Sequence, residues 1–330
     1  MRNKLHEDVL RGALLALSMF FILILMVGCG KAEKTDTHQT ETTAVETIPA
    51  EAVFREGKYY IPRKNLQTIL LMGLDKFEYS ESSLAYTNKM QSDFLMLLVI
   101  DNEAKTIQGL HLNRDTMTQI RRIGFGGSEA GTFVGQLALA HTFGSGGSDS
   151  CLNAVRAVSN LLDGVPIDHD LTLTMDAVSV INDAVGGVEL TLKEDMTALN
   201  PMWEEGAEIT LLGEDSLKFV RARMQVGDGL NASRMKRQEQ YLNAFYEKLM
   251  EKNREDDDFL GGVLLKVNND FQSDLTVTQL DKLGQLLAEC ELEPFQSIAG
   301  KTVEGEEFYE FHVDEEDLQR MVLSLFFEEL

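Results

Sequence analysis

A three-layer α/β domain is the fold class that this sequence predicts, on three observations. Apolar runs of strand length end at Gly or at a turn, as in Leu66–Gly73 (LQTILLMG) and Asp93–Asp101 (DFLMLLVID). Segments with helical spacing of apolar residues alternate with strand-like ones as far as the C-terminus, the pattern of helices laid on a sheet. No internal repeat and no Pro-rich linker follows Ala52, so these elements belong to one globular domain, 53–330.

Taken in order, Val53–Ile61 reads as a short edge strand. Leu66–Gly73 and Asp93–Asp101 are unbroken apolar runs, the signature of strands buried on both faces. The turn DNEAKT leads into Thr106–Asn113 (TIQGLHLN), giving a hairpin within a larger sheet. Helices are expected at Gly135–His141, Asp149–Leu162, Asp176–Val185, Asp215–Arg223, Ser233–Lys252, Asp257–Lys266, Thr276–Glu289 and Glu315–Phe327. Strands are expected at Leu171–Met175, Val188–Leu192 (after the Gly186–Gly187 turn) and Phe308–Val313. Gly124–Gly127 and Gly144–Ser148 read as flexible loops that match neither a P-loop nor a dinucleotide fingerprint. His111, His141 and His169 lack ligand spacing, Cys151 and Cys290 read as buried small hydrophobes, and no G-x-S-x-G elbow is present.

The N-terminus predicts location. Arg2, Lys4 and Arg11 precede an uncharged stretch whose strongly apolar part, Ala13–Val27, is 15 residues long. That suits a signal segment better than a spanning helix of roughly 20 residues. Met26-Val27-Gly28-Cys29 is similar to a bacterial lipobox, which would make Cys29 a lipidated first residue. An uncleaved anchor gives the same topology. Either way, 1–29 places the rest at the extracytoplasmic face of the cell membrane. The Thr/Glu-rich stretch 30–52 reads as a disordered linker.

Charge narrows the chemistry. A net charge of −24 argues against nucleic acid as a partner. Yet Val220–Gln240 holds Arg221, Arg223, Arg234, Lys236 and Arg237 against two acidic residues, which points to an anion held locally. Arg221 and Arg223 share a face only on an extended segment, whereas Arg234 and Gln238, four apart, share one on a helix. Asn231 or Ser233 would cap that helix. Asp75 follows the first buried strand and Asp93 opens the second. If the strands are antiparallel, the carboxylates meet at one rim, where they suit Mg²⁺ completed by water and phosphate oxygens or act merely as loop caps. Arg114, after the third strand, reads as a phosphate fork or as a salt-bridge partner of Asp115. A metal-bridged pyrophosphate satisfies both groups, and a membrane tether implies a lipid carrier.

Five motifs together carry a family resemblance: ILLMGLD (Ile69–Asp75), QSDFLMLLVID (Gln91–Asp101), LNRDT (Leu112–Thr116), IDHDLTLTMDAVSVINDAVGGVEL (Ile167–Leu190) and FVRAR…SRMKRQ (Phe219–Gln238). From about Asn65 onward the chain resembles the LytR-CpsA-Psr family of cell-envelope phosphotransferases. The resemblance implies an α/β/α fold with a central mixed sheet and an apolar polyprenyl-binding pocket. It implies transfer of a glycopolymer, such as teichoic acid or capsule, from an undecaprenyl-pyrophosphate carrier to peptidoglycan through a phosphodiester. By motif, Asp75 and Asp93 would hold Mg²⁺, and Arg114, Arg221, Arg223, Arg234 and Gln238 the pyrophosphate, with Asp75, Asp93 and Arg114 catalytic. The chain departs from the family in having Gln91 where an arginine is usual, with Lys89 or Lys76 as possible substitutes. Gly135–Ala138 also replaces a usual Lys-Ile-Asn, and the loop Lys76–Met90 is long. The departure at Gln91 motivates a second expectation, a non-catalytic binder of lipid-linked polymer or envelope regulator.

Overall fold

The computed structural model describes residues 48–76, 90–123 and 128–330. The segment 1–29 with Cys29, the linker as far as residue 47, the stretch 77–89 with Lys89, and Gly124–Gly127 lie outside the described residues. Pro49–Leu330 is one compact unit. Among the described residues no helix is long and apolar enough to cross a membrane.

The single strand expected at Val53–Ile61 is a hairpin, β1 (Val53–Arg55) with β2 (Lys58–Pro62). Its turn uses positive φ at Glu56 (49°) and Gly57 (82°), a break that the apolar pattern hides. β3 (Leu66–Leu74), β4 (Ser92–Asp101) and β5 (Thr106–His111) pair antiparallel in series: the β4–β5 hairpin is the expected one, and the β3–β4 pair meets the antiparallel condition on which the meeting of Asp75 and Asp93 depended. A further hairpin, β6 (Met117–Ile123) with β7 (Glu129–Gln136), was not expected. Arg121, Arg122, Gly131 and Gly135 obscure its alternation. The helix expected at Gly135–His141 is instead the end of β7 and one 3-10 turn, Leu137–Leu139. Gly144–Ser148, expected to be a loop, runs into α1 (Gly147–Leu161). Gly144 is packed so tightly that a Cβ would lie 2.3 Å from Ser150 Cα.

Periodicity located the remaining helices to within a few residues. They are α2 (Met175–Ala184), α3 (Glu214–Arg221), α4 (Asn231–Glu255), α5 (Phe259–Lys266), α6 (Val277–Glu289) and α7 (Glu315–Phe326). α6 begins with a capping box between Thr276 and Gln279, which satisfies two first-turn N–H groups. β8 (His169–Thr174) runs parallel to β3, and β11 (Phe271–Ser273) and β12 (Glu291–Leu292) flank the sheet, whose order is β11-β8-β3-β4-β5-β12. It is therefore mixed. The outlying strands are β9 (Val188–Thr191) with β10 (Glu208–Leu211), β13 (Gly300–Glu304) with β14 (Tyr309–Val313), and β15 (Phe327–Glu329) on β2.

Successive side chains of a strand point to opposite faces, and the core divides accordingly. Leu70, Met72, Leu95 and Leu97 pack with α1 and α7 on one face. Ile69, Ile100, Ile107 and Leu171 pack with α2, α4, α5 and α6 on the other. Those are the three layers. A third cluster, with Val188, Trp203, Leu211, Phe219 and Tyr241, anchors the arginine-bearing segment. Cys151 and Cys290 are buried as expected.

At the start of β8, burial and then the neighbouring Asp274 carboxylate push Asp170 up to about 6, from an ordinary 3.8. A raised carboxyl pKa means that the folded state keeps a proton which the unfolded chain releases. Its stabilising contribution is therefore complete below pH ~4 and lost as pH rises through about 6. Asp170→Asn is expected to stabilise the protein by about 1–2 kcal/mol at pH 8. The gain should disappear at pH 4 when denaturation midpoints are compared.

Candidate anion site at the sheet rim

The site begins with a register. Gly73 pairs with Phe94 and Leu74 with Ser92, with a bulge between Gly73 and Leu74. The antiparallel geometry thus brings Asp75 and Asp93 to the same end of the sheet. Gly73 permits the close approach, since a Cβ there would lie 3.0 Å from Phe94 Cβ. Met96 pairs with His111, so the chain leaving β5 returns to this rim and delivers Arg114 beside Asp93. The Arg114 carbonyl accepts the Ala138 N–H at 2.9 Å, and the Thr116 carbonyl accepts the Leu137 N–H at 2.7 Å. The 3-10 turn that replaces the expected helix therefore fixes the LNRDT segment.

The arginines converge on carboxylates. Arg114 Nη1 pairs with Asp93 Oδ1, its Nη2 donates to Gln91 Oε1 at 2.7 Å, and its Nε lies 3.4 Å from Asp115 Oδ1. Arg234 Nη1 stands 3.6 Å from the same Asp93 Oδ1, and Arg223 Nη2 is 3.8 Å from Asp115 Oδ2. Both alternatives for Arg114 are thus present together: it faces the rim and it pairs with Asp115. Arg221 and Asp75 form a separate, exposed pair at 3.0 Å. Such a pair contributes about 0–1 kcal/mol, so a ligand phosphate can displace it cheaply. Ala222 ends α3 in extended conformation, which is why Arg221 and Arg223 do not diverge as helical neighbours would.

Burial sets the electrostatics. It pushes the Asp115 carboxyl up, against the opposing pull of Arg114, Arg223 and Arg234. It also pulls the Arg234 guanidinium down, against the attraction of Asp93. Four guanidiniums and three carboxylates share this rim, so the positive excess sits where a bound anion would complete the pairing.

Several supporting residues were not legible as such. Asn231 was expected to cap α4, but the N-cap is Leu230, with no side-chain capping bond, and Ser233 does not cap either. Asn231 Oδ1 instead accepts from Arg234 Nε at 3.1 Å and Nη2 at 2.6 Å, while its Nδ2 donates to Asn113 Oδ1 at 2.8 Å. Asn113 Oδ1 also accepts the Asp115 N–H at 3.0 Å. Arg237 pairs with Glu194 at 2.6 Å and also donates to the Ala222 carbonyl. Gln238 donates to the Val220 carbonyl at 3.2 Å, so it braces the end of α3. Asn231→Ala is expected to weaken inorganic pyrophosphate binding about 10-fold, a loss of roughly one charged hydrogen bond, measured by titration calorimetry.

An apolar cavity of about 200 Å³ adjoins the rim, with Gly73, Phe94, Val220 and Gln238 in its lining. Another of about 170 Å³, between the sheet and α2, α4, α5 and α6, shares Leu71, Leu171, Leu173, Ile181, Leu242 and Phe245 with it. The two therefore abut. Among the described residues no group of three or more His, Cys, Asp or Glu is assembled for a metal. Asp75 and Asp93 supply hard carboxylate oxygens, a donor set that fits Mg²⁺ when water and substrate oxygens complete it.

The LytR_cpsA_psr family profile matches residues 23–325. The polyisoprenyl-teichoic acid–peptidoglycan teichoic acid transferase TagU of Halalkalibacterium halodurans is 27% identical over 190 residues, covering 58% of this chain and 55% of that protein. The transferase of the same description from Bacillus subtilis, TagV, is 25% identical over 250 residues, covering 74% and 59%. The chain thus spans between half and three-fifths of the length of these relatives. The crystal structure of B. subtilis TagV superposes with a TM-score of 0.58 at 23% identity, over 80% of this chain and 96% of that one, and so has the same fold. The profile extends over most of the chain, through both the rim and the helices that close on it, and the protein belongs to the LytR_cpsA_psr family.

Proposed function

We propose that this protein transfers a glycopolymer, such as teichoic acid or capsule, from an undecaprenyl-pyrophosphate carrier to peptidoglycan. The observation that carries the proposal is the junction of the arginine-rich rim with the two abutting apolar cavities. A pyrophosphate and a polyprenyl chain are the two halves of one carrier, and each half has a matching surface. In the transfer, an acceptor hydroxyl oxygen forms a bond to the polymer-side phosphorus. The bond from that phosphorus to the bridging oxygen breaks, and polyprenyl phosphate leaves. Arg114, Arg223 and Arg234 hold the phosphoryl charge, exposed Arg221 closes over it, and a rim carboxylate takes the hydroxyl proton. Asp75 and Asp93 would hold Mg²⁺, which, when bound, adds charge neutralisation at the phosphates. Catalysis of this kind is mostly positioning and electrostatic stabilisation.

The segment before the domain supports placement at the extracytoplasmic face of the membrane, tethered by a lipidated Cys29 or by the apolar stretch Ala13–Val27. The alternative, a non-catalytic binder, rests on Gln91. Its Oε1 takes an N–H of Arg114 at 2.7 Å, which favours the transferase reading, because Gln91 orients a guanidinium rather than leaving a gap. The test is acceptor-free cleavage of a polyprenyl pyrophosphate by the full chain in detergent. Slow turnover with Mg²⁺ is expected, lost with EDTA and lowered about 100-fold or more in Arg114→Ala. Wild-type turnover in Arg114→Ala would refute the assignment.

A further inference from the structure

A further carboxylate stands behind the arginine rim. Asp115 follows Arg114 in the LNRDT segment and is only 5% exposed, so it anchors side chains instead of meeting a ligand. Its two oxygens serve different partners. Oδ2 lies 3.8 Å from Arg223 Nη2, and Oδ1 lies 3.4 Å from Arg114 Nε. Among the described residues Asp115 is the one carboxylate within ion-pair distance of Arg223, whose other bond runs from Nε to the Gly229 carbonyl at 3.1 Å. Arg114 Nε is buried and makes no hydrogen bond among the described residues, so the Asp115 charge is what it faces. Where these two guanidiniums stand therefore depends on how Asp115 is held.

Gln136 holds it. This residue ends β7, is paired with Met117 across the hairpin, and is buried. Its Nε2 donates to Asp115 Oδ1 at 3.2 Å and to the Tyr309 carbonyl at 2.8 Å. Both N–H groups of the amide are thus committed, one to the carboxylate and one to β14. The backbone around the contact is fixed as well. The Leu137 N–H bonds the Thr116 carbonyl at 2.7 Å, and the Asp115 carbonyl accepts the Phe311 N–H at 2.8 Å. An amide tied at both ends gives the carboxylate one orientation, and the carboxylate gives Arg114 and Arg223 one each. A hydrogen bond donated to a carboxylate also favours its charged form, against the burial that pushes Asp115 up.

We infer that Gln136 is a positioning residue for the transfer, acting through Asp115 on the Arg114 and Arg223 guanidiniums. The inference rests on the transferase reading for its reaction and on these contacts for its residue. Loss of the amide leaves every positive charge of the rim in place, so capture of a pyrophosphate donor survives. What is lost is the fit of two guanidiniums to the phosphoryl group as it transfers, and that fit is expressed in turnover. The β6–β7 hairpin thereby acts on the rim through the one side chain at its end.

The test uses the full chain in detergent and acceptor-free cleavage of a polyprenyl pyrophosphate, read as kcat and KM. Gln136→Met keeps the length of the side chain and loses both donors. It is expected to lower kcat about 10-fold and to leave KM within about 2-fold of wild type. Gln136→Asn, whose amide stops one methylene short of Asp115, takes its place if the Met variant does not fold. Gln136→Lys can still donate to the carboxylate and should keep most of the wild-type turnover. In an Asp115→Asn background Gln136→Met should cost nothing further, because the contact that it serves has gone. Wild-type kcat in Gln136→Met, equal losses in the Met and Lys variants, or the same loss with and without Asp115 would overturn the inference. A second readout needs no turnover: the Arg223 Nε–H signal in NMR spectra, assigned by its absence in Arg223→Lys, should move in Gln136→Met and stay in place in Gln136→Lys. That shift in a wild-type background that cleaves no donor would leave the positioning of Arg223 standing and defeat the transferase reading. An unmoved signal would overturn the inference whatever the turnover.

Discussion

Asp93→Asn is expected to lower transfer about 1000-fold, equivalent to roughly 4 kcal/mol of transition-state stabilisation. Asp93 Oδ1 is the point on which Arg114 and Arg234 both converge, the latter at 3.6 Å. The amide keeps the shape and removes the charge that positions both guanidiniums, along with one of the two carboxylates proposed to hold Mg²⁺. Arg234 is buried, so loss of its counter-charge also raises the cost of keeping it ionised there. The freed guanidiniums still attract an anion. Binding of the polyprenyl-pyrophosphate donor should therefore be unchanged or tighter while turnover falls. Single-turnover kinetics beside equilibrium donor binding separate the two effects, and parallel losses in both would contradict the role assigned to Asp93.

Phe219→Ala is expected to cost about 3–5 kcal/mol, the range for truncating a buried aromatic, and to lower the melting temperature by roughly 10 °C. Phe219 is fully buried and meets Trp203 edge-on, with ring centroids 6.3 Å apart. It lies in the last turns of α3, two residues before Arg221, and that helix end is gripped by α4 through Gln238 to the Val220 carbonyl and Arg237 to the Ala222 carbonyl. A cavity under Phe219 loosens the support of Arg221 and Arg223. Transfer measured well below the melting temperature should therefore fall about 10-fold although no anion-contacting side chain has changed. Denaturant midpoints and transfer rates on the same sample check both effects.

The residues most legible in the sequence are those joined directly to legible elements. β3 and β4 are buried on both faces and so read as continuous apolar runs, which marks Asp75 and Asp93 as strand-end residues from their order in the chain alone, and the strand β5 that follows the DNEAKT turn does the same for Arg114. Hairpin β6–β7 is largely exposed on its outer positions and carries charges and glycines through its alternation, so no period-two signal survives. The part played by Asn231 is hidden for a different reason. Asn ahead of an amphipathic run is the ordinary sign of a helix cap, and its capacity is spent instead on Arg234 and Asn113, the latter close to it only in three dimensions. The placing of Arg221 against Arg223 depends on where α3 ends, and Ala222 sets that through tertiary contacts rather than through any stop signal of its own.

The most direct test of the central claim is formation of the product. Full-length protein in detergent is given an undecaprenyl-pyrophosphate-linked oligosaccharide and a peptidoglycan oligomer, with Mg²⁺ or with EDTA, and the glycan is followed by mass spectrometry. A phosphodiester adduct that requires Mg²⁺ and disappears in Asp93→Asn is the predicted result. Donor that stays bound to the protein, with no adduct across several donor polymers, would contradict the transferase reading and leave a binder of lipid-linked glycopolymer in its place.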